Sequence, residues 1–112
     1  MPTQRQLRVS SLLREEIAVI LQKDLQDPRL GFATVTDVEV SGDLRHADVF
    51  VSVLGTEEEK HDTMAALVNA RQYIQGLIGD RIVLKYLPRL SFRLDETADR
   101  AQRMEALLRD LD

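Results

Sequence analysis

His46-Ala47-Asp48-Val49-Phe50-Val51-Ser52-Val53-Leu54 is the stretch that decides the fold. Ala47, Val49, Val51 and Val53 fall on one face of an extended chain, and Asp48, Phe50 and Ser52 on the other. Strand side chains project alternately, so a period of two with β-branched residues marks a half-buried strand. Just before it, Ser41-Gly42-Asp43-Leu44-Arg45 supplies turn chemistry. Before the turn, Phe32 to Val40 is again rich in Val and Thr (Thr34, Val35, Thr36, Val38, Val40). Together they predict an antiparallel hairpin.

Helical patterns flank this hairpin. From residue 7 to 25, Val9, Leu13, Ile17, Ile20, Leu21 and Leu25 recur mainly at spacings of three and four, the mark of an amphipathic helix. Asp27-Pro28-Arg29 stops it, because proline disfavours helical geometry in the residue before it. After the hairpin, Thr56-Glu57-Glu58-Glu59 is a capping box opening a helix with Met64, Leu67, Val68, Ile74, Leu77 and Ile78. That run is long for one straight helix on a small sheet. Gly76 and Gly79 lie near its end, and Gly79 suits a left-handed C-cap. Leu84 to Leu94 holds a last strand, with Leu90, Phe92 and Leu94 alternating and Pro88 at or before its start. A closing helix from about Thr97 to Leu111 carries Ala101, Met104, Leu107, Leu108 and Leu111 on one side. This stripe most simply packs on the domain, with contact to a partner as the alternative. The order α-β-β-α(α)-β-α predicts an α+β fold, a three-stranded sheet with helices on one face and a right-handed crossover.

Composition agrees with one domain over residues 1-112, with 44% hydrophobic and 30% charged residues. Without cysteine, a disulfide framework, a thiolate metal site and a cysteine nucleophile are excluded. No apolar run reaches membrane-span length, and Met1-Pro2-Thr3-Gln4-Arg5 lacks a signal-peptide core, so a cytoplasmic, membrane-free protein is expected. The net charge of −4 hides a polarised distribution. Arg5, Arg8 and Arg14 precede the first acid, and Arg81, Lys85, Arg89 and Arg93 occupy an acid-free run. Asp37, Glu39, Asp43, Asp48, Glu57, Glu58, Glu59 and Asp62 dominate the middle.

Catalytic chemistry finds no footing. His46 and His61 lack a serine, carboxylate or second histidine at working spacing and read as surface residues. Glu57, Glu58 and Glu59 are consecutive helical positions, point in different directions, and suit the helix dipole rather than a shared cation. No enzyme activity, cofactor or metal is expected. Gly76-Leu77-Ile78-Gly79 matches the G-x-x-G clamp of KH domains, but Leu77 and Ile78 fit the apolar stripe of a helix. The acid-free cations are the better candidates, since unpaired Lys and Arg on one side attract phosphates. Aromatics are scarce, so backbone contacts fit better than base stacking. The competing reading is a non-catalytic protein-interaction module docking through its acidic hairpin, with Asp43, Asp48 and Glu57.

Across nearly its whole length the chain resembles the bacterial ribosome-binding factor A family. The resemblance is carried by Arg8-Val9, Glu16-Ile17-Ala18, Ile20-Leu21, Asp27-Pro28-Arg29-Leu30-Gly31, Thr34-Val35-Thr36 and Val38-Glu39-Val40-Ser41. Asp43-Leu44, Ala47-Asp48-Val49-Phe50-Val51-Ser52, Leu87-Pro88-Arg89-Leu90-Ser91-Phe92 and Asp95 complete it. It implies a KH-like (type II) α-β-β-α-kink-α-β fold with a three-stranded mixed sheet and a short C-terminal helix. In this family an Ala-x-Gly kink replaces the clamp. Ala70, Arg71 and Gln72 occupy those positions, glutamine standing where the family has glycine. Family members often carry a longer, charged C-terminal tail, whereas this sequence ends at Asp112.

The family implies binding to the small ribosomal subunit and its rRNA during maturation, help in processing the rRNA 5′ end, and a role in the cold. An assembly GTPase partner and a monomeric state are further expectations. Arg5, Arg8, Arg14, Arg71, Arg81, Lys85, Arg89 and Arg93 are the expected RNA-binding residues. The acidic hairpin and Glu57 to Glu59 are expected to face away from them.

Overall fold

Thr3 opens the first helix. Its hydroxyl accepts the Gln6 backbone N–H at 3.1 Å, and its own N–H donates to the Gln6 side-chain oxygen at 2.7 Å. This reciprocal capping box starts α1 (Gln4–Val19) before the apolar repeat begins. The structure is a computed structural model that describes residues 1–25, 27–30 and 32–111; Gly31 of the family motif and Asp112 lie outside them.

The helix continues through one wider π turn, Ile20–Asp24, closed by Leu25 N–H donating to Ile20 O at 3.1 Å. Ile20 and Leu21 are both buried there. A short 3-10 turn, Pro28–Leu30, follows, with Asp27 binding the Arg29 guanidinium at 2.7 Å.

The hairpin forms as its alternation predicts. Strands β1 (Ala33–Val40) and β2 (His46–Val53) pair antiparallel. Ala47, Val49, Val51 and Val53 all face the core. A register shift between Val35 and Asp37 leaves Thr36 at a bulge. The left-handed residue of the connecting turn is not Gly42 but Leu44, at φ 62°. Its partly buried side chain packs on the core, and its N–H donates to Ser41 O at 2.9 Å.

Helix α2 (Glu57–Arg81) opens with the expected Thr56–Glu59 capping box. Ala66, Leu67, Ile74 and Ile78 face the sheet. Two expectations are corrected here. The kink at Ala70, Arg71 and Gln72 is absent: α2 runs as a single helix. Ala, Arg and Gln all favour helix, and the glycine that would permit a break is missing. Nor does Gly79 cap the end, because the helix continues to Arg81 and terminates at an extended Ile82. Burying Ile78 requires helical geometry through the glycines.

Strand β3 (Arg89–Leu94) begins directly after buried Pro88 and lies parallel to β2, giving the mixed order β1-β2-β3. Leu90 is fully buried, with Phe92 and Leu94 beside it. The buried residues form one cluster between the sheet and the two helices α1 and α2.

Helix α3 (Thr97–Asp110) corrects the third expectation. None of its residues is buried, and Met104, Leu107, Leu108 and Leu111 are 58–80% exposed. Its apolar stripe does not pack on the domain. Polar contacts tie its start instead. The Lys60 ammonium meets Asp99 at 2.6 Å, and Asp99 holds the Lys60 pKa above its ordinary value. Asp95 accepts from Thr97 N–H at 2.9 Å and from the Thr36 hydroxyl at 2.7 Å. No described helix is long and apolar enough to cross a membrane.

Candidate nucleic-acid interface

The parallel pair β2 and β3 begins at one rim of the sheet, and most of the candidate cations gather there. Arg45 directly precedes β2, and Arg89 opens β3. The Arg89 N–H donates to the Arg45 carbonyl at 2.8 Å, which places the two residues side by side. In the connection before β3, the Lys85 ammonium lies 5.6 Å from the centre of the Tyr86 ring. The Arg45 guanidinium lies 5.5 Å from that same ring. Arg5, from the first turn of α1, joins Lys85 and Tyr86 around a notch of about 50 Å³ floored by Val9, Leu44 and Leu84.

On the other flank of Arg89, α2 contributes Arg71. The Gln75 amide bridges α2 to the start of β3, donating to Pro88 O at 3.4 Å and accepting from Leu90 N–H at 3.3 Å. One turn earlier, Arg71 lines a shallow concavity of about 500 Å³ with Gln72, Gln75 and Arg89. The rim thus reads Arg71, Arg89, Arg45, Lys85, Arg5 in space, from four separate parts of the sequence. Among the described residues, no carboxylate lies within ion-pair distance of any of these five.

Three expected residues stand apart from this arrangement. Arg81 is bound at 2.9 Å by Asp24, whose buried Oδ2 faces the guanidinium out of hydrogen-bond alignment, with Glu16 at 3.9 Å. The π turn carries Asp24, so the end of α1 neutralises the end of α2. Arg93 lies on the open sheet face, where its Nε donates to Asp48 at 3.1 Å. This corrects the expectation that the acidic hairpin turns away from the basic segments. Alternation puts Asp48 and Arg93 on the same side of neighbouring strands. Arg14 follows Arg5 by nine positions, which at about 100° per residue puts it on the opposite side of α1. Arg8 shares the Arg5 flank.

Arg45 is the residue that sequence reasoning missed. It sits among acids in the chain, which hid it. The available signal was its place in the turn before β2, since a turn residue is not bound to its sequence neighbours' face. Asp43 of the hairpin turn is engaged as well as Asp48. The Ser41 hydroxyl donates to Asp43 at 2.6 Å and, with the Arg45 N–H, lowers the Asp43 pKa. His46 and His61 are exposed, and among the described residues no cluster of His, Asp or Glu could hold a metal ion.

These features define a small α+β protein with a three-stranded mixed sheet and a cationic rim. The chain belongs to the ribosome-binding factor A family, whose pattern it matches over residues 5–108. It is 48% identical over 109 residues to ribosome-binding factor A of Halothermothrix orenii, covering 97% of this chain and 89% of that protein. The crystal structure of ribosome-binding factor A from Thermus thermophilus superposes with a TM-score of 0.71 at 29% identity, over 80% of this chain and 94% of that one. A Thermus thermophilus homology model fitted into a cryo-EM map of a 30S complex matches with a TM-score of 0.62 at 27% identity, over 87% and 98% of the two chains.

Proposed function

We propose that the protein is a non-catalytic assembly factor that binds the small ribosomal subunit through its cationic rim, against small-subunit rRNA. The observation that carries this reading is the convergence of Arg71, Arg89, Arg45, Lys85 and Arg5 without a neutralising carboxylate among the described residues. An acidic protein with one such rim binds where that rim meets a shaped array of phosphates, and is repelled elsewhere. The relative fitted into a 30S complex supports the same partner.

Help in processing the rRNA 5′ end, a role in the cold, a cytoplasmic location, action alongside an assembly GTPase, and a monomeric single-domain state belong to this proposal. The acidic-hairpin reading has less support, because Asp48 is paired with Arg93 and Asp43 with its own turn.

Sedimentation of the purified protein with small and large subunits across a salt series tests the proposal. Salt-sensitive binding to small subunits alone is the expected result. No binding to small subunits, mature or immature, at low salt would overturn it.

A further inference from the structure

We infer that Arg45, Lys85 and Tyr86 form a phosphate site, in which Tyr86 is a positioning residue that holds two cations ready for neighbouring phosphates of one RNA strand. The inference rests on the rim reading above and deepens it. Two long cationic side chains on a surface normally repel each other and sample many rotamers. Ordering them on binding costs conformational entropy. Here both charges lie close to one ring, at 5.5 and 5.6 Å from its centre. The negative π face of the ring attracts each cation and restricts both before any ligand arrives. Tyr86 is 52% exposed, so the ring and its cations face solvent rather than the core.

The backbone is shaped to the same end. Leu44 adopts φ 62°, a conformation that costs a non-glycine residue energy and persists only where surrounding contacts over-determine it. Those contacts are present. The Ser41 N–H donates to His46 O at 2.9 Å, and the Arg45 N–H to Asp43 Oδ1 at 3.1 Å. The Arg45 carbonyl receives the Arg89 N–H at 2.8 Å. Leu44 lines the notch together with Tyr86 and Arg5, and the guanidinium of the next residue, Arg45, lies 5.5 Å from the centre of the ring. The turn's own acid, Asp43, spends Oδ1 on the Ser41 hydroxyl and the Arg45 N–H. Among the described residues neither Arg45 nor Lys85 has a carboxylate in ion-pair range. Two cations gathered at one ring without an ion-pair partner select a ligand with repeated negative charges, and a phosphodiester backbone supplies that.

The test titrates the full chain with a short RNA hairpin and with small subunits over a salt series. Tyr86→Ala should weaken binding by about fivefold. Tyr86→Phe, which keeps the ring face, should restore it to within about twofold. Arg45→Gln and Lys85→Gln should each reduce the slope of log affinity against log salt by about one. Thermal melts separate a folding defect from a binding defect, and the phenylalanine variant keeps the ring packing. Wild-type binding with Tyr86→Ala unchanged, or with the Arg45→Gln slope unchanged, overturns the inference and leaves the rim reading standing. Absence of wild-type binding sinks the rim reading itself. Displacement of the RNA by a polyglutamate peptide at equal charge concentration overturns the assignment to phosphate.

Discussion

The rim and the open sheet face share a source of charge and treat it differently. Arg81, Lys85, Arg89 and Arg93 come from one acid-free run, yet Lys85 and Arg89 end on the rim while Arg81 and Arg93 are captured by Asp24 and Asp48. The capturing acids lie far away in sequence and adjacent in space. A run of like charge in a sequence therefore describes a segment, whereas a binding surface is what remains after tertiary ion pairing. The rim keeps its charge because no carboxylate among the described residues comes within ion-pair distance of Arg71, Arg89, Arg45, Lys85 or Arg5.

This contrast can be broken most forcefully by reversing the rim. Combined Arg45→Glu, Lys85→Glu and Arg89→Glu should weaken small-subunit binding by about 100-fold or more and flatten its salt dependence. The double variant Arg81→Gln, Arg93→Gln should stay within about threefold of wild type in the same assay. Equal losses in both would erase the distinction between the two regions.

Stability should show the reverse order. Arg81→Ala strips the partner from a buried carboxylate oxygen of Asp24. A cost of about 1–3 kcal/mol is expected, read from the denaturant midpoint, with binding retained. The open face also holds the most perturbed carboxyl described. The Thr36 hydroxyl, then Thr97, lower the Asp95 pKa from the ordinary 3.8 to about 2. A depressed folded pKa stabilises above the unfolded value, so this contribution is intact at neutral pH. It is lost as pH falls from about 5 through 2. Thr36→Val should move the Asp95 titration, followed by carboxyl NMR, back toward 3.8 and flatten the acid limb of stability. The smallest effect belongs to Arg93→Ala. Its pair with Asp48 is 59% and 40% exposed, and a change within about 0.5 kcal/mol is expected.

Much of this molecule is legible from local pattern. The β2 alternation, the Thr56 capping box, the stop at Asp27-Pro28-Arg29 and the proline before β3 are short-range effects of pleat, hydrogen bonding and ring closure. Each is written in adjacent residues. The start of α1 at Thr3 is equally local, but its box uses glutamine at the third position and lies ahead of the apolar repeat that otherwise marks the helix. The kink read at Ala70-Arg71-Gln72 came from the family pattern, whereas here glutamine stands in place of glycine and the helix runs on.

What the sequence by itself determined was therefore the element order, the buried faces of α1, β2 and β3 and the presence of cations without sequence-adjacent acids. Only the tertiary structure decided which cations remain free. Ion pairing depends on distances of a few ångströms between elements that pairing register and helix packing bring together. The left-handed Leu44, the Arg45 it directs onto Tyr86, and the unpacked stripe of α3 are decided at that level as well. Each depends on what lies opposite in space, and hydrophobic periodicity along the chain carries no information about that.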